Sequence, residues 1–131
     1  MLRVLDGDTF DVRLSSGADR RVRLLDVDSP ATSRCGGVGA QRSLRRLLPG
    51  GSRVTLVTDP AQQRQDSRNR LLRYVVRNGT DVNRVQLGRG WAVVTYDNDR
   101  PFRRFNSFVS AQHDADLQNR GIWGFCRTVE R

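Results

Sequence analysis

At 131 residues the chain is long enough for one hydrophobic core and short for two, and no stretch approaches the roughly 18 apolar residues of a membrane-spanning helix. Its basic residues number 23, all arginine, against 14 acids, for a net charge of +9, and two cysteines with one histidine are too few for a zinc site. A single monomeric domain over residues 1–131 with no membrane segment and a polyanionic partner is expected, because guanidinium groups grip phosphate in two places; the plainer reading of arginine without lysine is a GC-rich genome decorating solvated faces.

The first strand ends at Leu5, close to Met1, so a trimmed N-terminal segment is expected and the absence of a leader leaves location open. From Phe10 to Leu14 apolar and polar residues alternate, a turn covers Ser15 to Asp19, and Arg21 to Val27 returns as the second arm of a hairpin. Ser29, Pro30, Ser33, Gly36 and Gly37 mark a loop, after which Ala40, Leu44, Leu47 and Leu48 recur at helical spacing until Pro49 and Gly50. Strands are predicted at Arg53 to Val57 and Leu71 to Val76, separated by an exposed polar segment from Ala61 to Asn69. Asn78 and Gly79 form a turn, Val82 to Leu87 a short helix, and Trp91 to Thr95 another strand. Phe105, Phe108, Val109, Gln112 and Ala115 share a helical stripe, closed by Gly121 before Ile122 and Trp123. The count fits an α+β domain built on a five-stranded Greek-key barrel.

Cys35 lies in the glycine-rich loop and Cys126 follows the last apolar cluster. Two readings stand: a pair of buried thiols, or a disulfide, which would contribute about 4 to 5 kcal/mol in the chain-entropy model and place the protein in an oxidising, extracytoplasmic compartment.

Three polar clusters interrupt this pattern: Asp6-Gly7-Asp8-Thr9 at a strand junction, Arg23 through Asp28-Ser29-Pro30, and Asp66 through Arg70 before a strand. Singly they read as an Asp-Gly turn, a strand exit and a solvated loop. In this order they resemble the staphylococcal-nuclease family, whose pattern runs Asp-Gly-Asp-Thr, Arg-Leu-Leu with Asp-Thr/Ser/Ala-Pro-Glu, then Asp-Xaa-Tyr-Gly-Arg; Gly90-Trp91-Ala92 and Gly121-Ile122-Trp123 are similar to its later signatures. The resemblance implies an OB-fold barrel with about three helices and a calcium-dependent endonuclease that hydrolyses DNA and RNA without sugar preference, favours single strands and leaves 3′-phosphates. It also assigns residues. Asp8 and Asp28 would bind calcium through carboxylates and Ser29 through its backbone carbonyl, with Asp6 outside the first shell. Arg23 and Arg70 would clamp the scissile phosphate, and Tyr96 would stack near the nucleotide, with a core role as the alternative.

At the position of the family's general-base glutamate stands Ala31, and the only glutamate in the chain is Glu130. A methyl group takes no proton, and losing a general base lowers turnover by about 10² to 10⁴. An engineered change, a nucleic-acid-binding module that has lost catalysis, and a substitute base are the three readings. Asp26 is the candidate for the last, although the strand assignment makes it a solvent-facing residue. Arg68 and Asn69 stand where the family has Tyr-Gly, which puts the Arg70 loop in question, and Gln112 stands where an acid is usual.

Overall fold

The structure, a computed structural model, describes residues 1–95, 104–126 and 129; Tyr96 and Glu130 lie outside the described residues. Alternation of Phe10 and Val12 with Asp11 and Arg13 puts one face of β2 (Thr9–Arg13) into the core and the other into water. Its antiparallel partner β3 (Asp19–Leu24) pairs Phe10 with Val22, so both strands bury the same face. β1 (Arg3–Val4) pairs with the other edge of β2. β3 then lies parallel to β6 (Leu71–Arg77), which pairs antiparallel with β5 (Thr55–Val57) and with the short β7 (Thr80–Asp81). The segments leading into the two end strands of the path β1-β2-β3-β6-β5 are tied to each other: the Met1 amino group donates to Ser52 O at 2.7 Å and Gly51 N donates to Met1 O at 3.0 Å. This is the α+β, OB-type architecture expected, with the helices packed on the sheet.

α1 (Gly37–Leu47) buries Ala40 and Leu44, and Leu48 at its cap is buried too; α2 (Val82–Gly88) is capped by Asp81, which accepts from Arg84 N at 3.2 Å. α3 (Phe105–Leu117) buries Phe108, Ala111 and Ala115; Phe108 and Ala111 share one core with Tyr74, Leu24 and Leu87. Val109, expected on the buried stripe, is instead exposed. Gln112 does face inward: its Oε1 accepts from Val94 N at 2.6 Å and ties α3 to the sheet.

Polar pins between layers fix the loops that matter below. Gln86 of α2 donates to Gly7 O at 2.8 Å and accepts from Ser43 Oγ at 2.6 Å, so the turn at Gly7 is held against both α1 and α2. Gly7 itself sits so close to Ser29 and Ala40 that a Cβ would lie 2.5 Å from each side chain. Asn83 accepts from Val75 N and donates to Leu25 O, completing backbone bonds that the sheet leaves open.

Three expected strands are shorter than the sequence indicates, the one predicted from Arg53 to Val57 keeping only Thr55–Val57. The arm predicted from Arg21 to Val27 breaks after Leu24: Asp26 takes a left-handed backbone, φ 64°, and β4 (Val27–Asp28) continues in a different pairing with β8 (Val93–Val94), which is all that remains of the strand predicted from Trp91 to Thr95. Asp26 is therefore not a solvent-facing strand residue. It is 5% exposed, and its Oδ2 accepts from Tyr74 Oη at 2.8 Å and Gln62 Nε2 at 2.7 Å.

Candidate active site

The three polar clusters meet at one cleft of about 560 Å³. Asp6 and Asp8 enter it from the turn between β1 and β2, Arg23 from the end of β3, and Asp28 and Ser29 from β4 and its exit. Arg70 comes from the loop before β6, and Ala31 from the loop before α1. Residues separated by more than sixty positions thus share one cleft because β3 and β6 run parallel side by side.

Among the carboxylates that line the cleft Asp8 is the most enclosed, at 5% exposure. Thr9 Oγ1 donates to its Oδ1 at 2.8 Å and Ser29 N donates to its Oδ2 at 3.0 Å, so both oxygens are oriented. Burial resists its ionisation, but the Arg23 charge together with hydrogen bonds from Asp6, Ser29 and Thr9 outweighs that and holds the carboxyl below its ordinary range. Asp6 goes the other way. Partial burial, then the neighbouring Asp8 charge, push it up to about 6, while its Oδ1 accepts from Asp8 N at 3.0 Å. A residue that fixes the Asp8 backbone and carries a proton more readily suits an orienting place beside the carboxylate pair.

Arg23 is held from behind. Its Nη1 donates to Leu24 O at 3.0 Å and Val27 O at 2.8 Å, the carbonyls of the segment that breaks at Asp26, and its Nη2 reaches Asp28 Oδ1 at 3.0 Å and Asp8 Oδ2 at 3.5 Å. The Asp26 turn therefore helps to aim the guanidinium at the cleft. Both carboxylates reach one guanidinium nitrogen, which bridges them, and carboxylate and carbonyl oxygens are the donor types that suit a hard divalent ion. Among the described residues no cluster of three carboxylate, imidazole or thiol ligands forms, so such an ion would depend on the Ser29 carbonyl and water to complete its shell.

On the opposite wall Asp66 builds the loop that presents Arg70. Its Oδ1 accepts from Arg68 N and Arg70 N at 3.0 and 2.9 Å, and its Oδ2 accepts from Arg70 Nε at 2.6 Å. Asn69 takes φ 61°, the conformation a glycine adopts freely and asparagine tolerates better than most residues. The replacement of glycine by Asn69 is thereby accommodated, and Asp66 engages Arg70 through Nε, leaving the terminal nitrogens to face other partners.

Ala31 lines the same cleft and is exposed, with Arg34 N donating to its carbonyl at 2.8 Å. Asp26 does not line it, so the substitute-base idea loses its candidate. Sequence reasoning passes over Arg34 and gives no role to Arg68, both of which line the cleft. The one available signal is their position inside the loops that carry Ala31 and Arg70. Of the two readings of the cysteines, the structure has the disulfide: Cys35 and Cys126 are bonded, with Cα atoms 5.9 Å apart, on the rim of the cleft.

Comparison with known proteins bears on this arrangement. The sequence profile described as staphylococcal nuclease homologue matches residues 21–124, which include Arg23, Asp28 and Arg70. The chain belongs to that family. A family member's fold and a cleft lined by the family's own polar clusters agree. The chain is also 31% identical to an uncharacterised endonuclease of Escherichia coli, over 94% of this chain and 74% of that protein. It is 30% identical to an uncharacterised protein of Bacillus anthracis, over 94% of this chain and 59% of the relative, and 27% identical to endonuclease YhcR of Bacillus subtilis, over 92% of this chain but 11% of the relative. The chain thus spans little more than half of one of these relatives and about a tenth of another.

Proposed function

We propose that this domain is a calcium-dependent, sugar-nonspecific phosphodiesterase scaffold for DNA and RNA, with turnover strongly lowered by Ala31. The observation that carries the reading is the convergence of Asp8, Arg23, Asp28 and Arg70 on one cleft with Ala31 on its rim. Arg23 and Arg70 would hold the scissile phosphate from two sides. Their charge, fixed before the substrate arrives, stabilises negative charge that grows on the phosphorus oxygens. Asp8 and Asp28, with the Ser29 carbonyl, would hold calcium, which when bound supplies further positive charge at the phosphate. Phosphate contacts carry no base identity, so cleavage without sequence preference follows, with flexible single strands favoured over duplex. The disulfide fits an extracytoplasmic, oxidising location.

What the cleft lacks is a base at position 31, and the same observation supports a second reading, a nucleic-acid-binding module without catalysis. Ala31→Glu separates them. Restoring a carboxylate should raise calcium-dependent cleavage of denatured DNA by at least about a hundredfold, the size of a general-base contribution. If that variant and the native chain both bind DNA and neither cuts it with calcium present, the module reading holds.

A further inference from the structure

Beyond the disulfide, on the side away from the carboxylates, lies a second groove of about 410 Å³ between α1 and α4 (Ile122–Phe125). Its floor is Trp91, whose indole lies against α1 because Gly39 carries no side chain; a Cβ there would fall 2.5 Å from the ring. Phe125 stacks on Trp91 with centroids 6.0 Å apart and planes 20° from parallel, yet remains 75% exposed, so one ring face is covered and the other meets water. Arg42 and Arg46, one turn apart on α1, and Arg89 at the end of α2 line the same groove. Among the described residues no acidic side chain lines it, and none of these three arginines forms an ion pair. The groove starts where the cleft ends: Phe125 is the residue before Cys126, and Cys35 and Cys126 belong to the cleft wall.

We infer that this groove is a second subsite for single-stranded nucleic acid, taking the bases that follow the segment held in the cleft. An open aromatic face beside guanidinium groups not engaged by acids is the combination that stacks a base of any identity and neutralises the phosphates around it. A protein partner for such a patch would need its own acidic surface, whereas a nucleic-acid strand leaving the cleft arrives already charged and already positioned. The disulfide serves here as the bridge that keeps α4 beside the mouth of α1, and Ile122 N donating to Gly90 O at 2.8 Å fixes the other end of the same segment. The inference rests on the reading of the cleft as a phosphodiester site.

The test uses the chain as it stands, with Ala31 keeping substrate intact, and measures fluorescence anisotropy of labelled oligothymidylate roughly three and roughly twelve nucleotides long, the longer falling within the span an OB-fold covers. Two variants are compared with the native chain. Phe125→Leu keeps the apolar packing and removes the stacking face; Arg42→Gln with Arg46→Gln removes charge without touching the aromatic pair. The longer strand should bind the native chain more tightly than the shorter, and Phe125→Leu should weaken only the longer, by about tenfold, within the range of one stacked base. The arginine variant should weaken the longer strand and lower the slope of log affinity against log salt by about 1 to 2. The groove is not a subsite if the two lengths bind the native chain equally, or if both variants bind the longer strand as well as it does. Failure of both lengths to bind the native chain at low salt would overturn the reading of the cleft as well.

Discussion

Asp26 and Asp28 are two residues apart and do opposite work. Asp28 keeps its side chain half in water and pairs with Arg23 at the mouth of the cleft; Asp26 is buried against Tyr74 and Gln62. A continuous strand would put both on one face. The left-handed turn at Asp26 separates them, sending one carboxylate into the core and leaving the next at the cleft. Tyr74 Oη also lies 2.8 Å from Asp59 Oδ2, and burial with the two carboxylates beside it drives the phenol far above its ordinary range. The buried cluster therefore acts as a neutral-phenol anchor under the loop from which the Asp28 carboxylate emerges. Position in a turn, not residue type, decides which acid belongs to the site.

The comparison is broken most severely at Asp28. Asp28→Asn should weaken calcium binding by at least about a hundredfold, the upper end of what is lost even when a residue behind the ligands is changed. Its unfolding midpoint in urea without calcium should stay near that of the native chain, because the side chain is 55% exposed. Titration calorimetry reads the first quantity and circular dichroism the second. Tyr74→Phe should do the reverse. Removing the phenol takes one donor from each of two enclosed carboxylate oxygens and leaves them to Gln62, for a loss of about 1 to 3 kcal/mol, while calcium affinity holds. A Tyr74→Phe chain that unfolds like the native one, or that loses calcium, would show that the two acids are not functionally separate.

The smallest effect sharpens the other wall. Burial opposes the charge on Asp66, but the Arg70 N–H, the Arg70 guanidinium and the Arg68 N–H outweigh it and hold the carboxyl below its ordinary 3.8. Because the folded value is the lower one, the stabilisation is complete above about pH 3.8 and fades as pH falls through the folded value. The stability gap between the native chain and Asp66→Asn should accordingly be under about 1 kcal/mol at pH 7, since the pair is near the surface, and should shrink toward pH 3. A gap that widens on acidification would mean Asp66 does not hold the Arg70 loop.

Much of this architecture is legible in the residues themselves. Phe10, Val12 and Val22 announce a half-buried hairpin by alternation, and Ala40, Leu44 and Leu48 announce α1 by helical spacing. The three polar clusters mark the walls of the cleft because each sits where a strand begins or ends. The Asp26 turn is hidden, since no glycine or proline announces it. The local trace it leaves is Leu24-Leu25-Asp26-Val27, four buried residues in a row, which alternation forbids for a strand with one wet face. Arg34 is silent for a different reason: an exposed arginine in an arginine-rich chain carries no local signal, and only the folding of the Ala31 loop over the cleft gives it a place. The β4 and β8 pairing is two residues long and rests on a contact between distant segments that neither strand's own composition could reveal.

The Cys35–Cys126 bond spans 91 positions and so turns most of the chain into one closed covalent ring. The largely exposed stretch around Ala61 to Asn69 lies inside that ring. A protease that cuts there opens the ring without dividing the molecule: the halves stay linked through sulfur and migrate as one species until a reductant is added. A protein with this bond can survive a single cut in that loop as an intact covalent unit, and its fragmentation becomes a two-hit event, one proteolytic and one reductive.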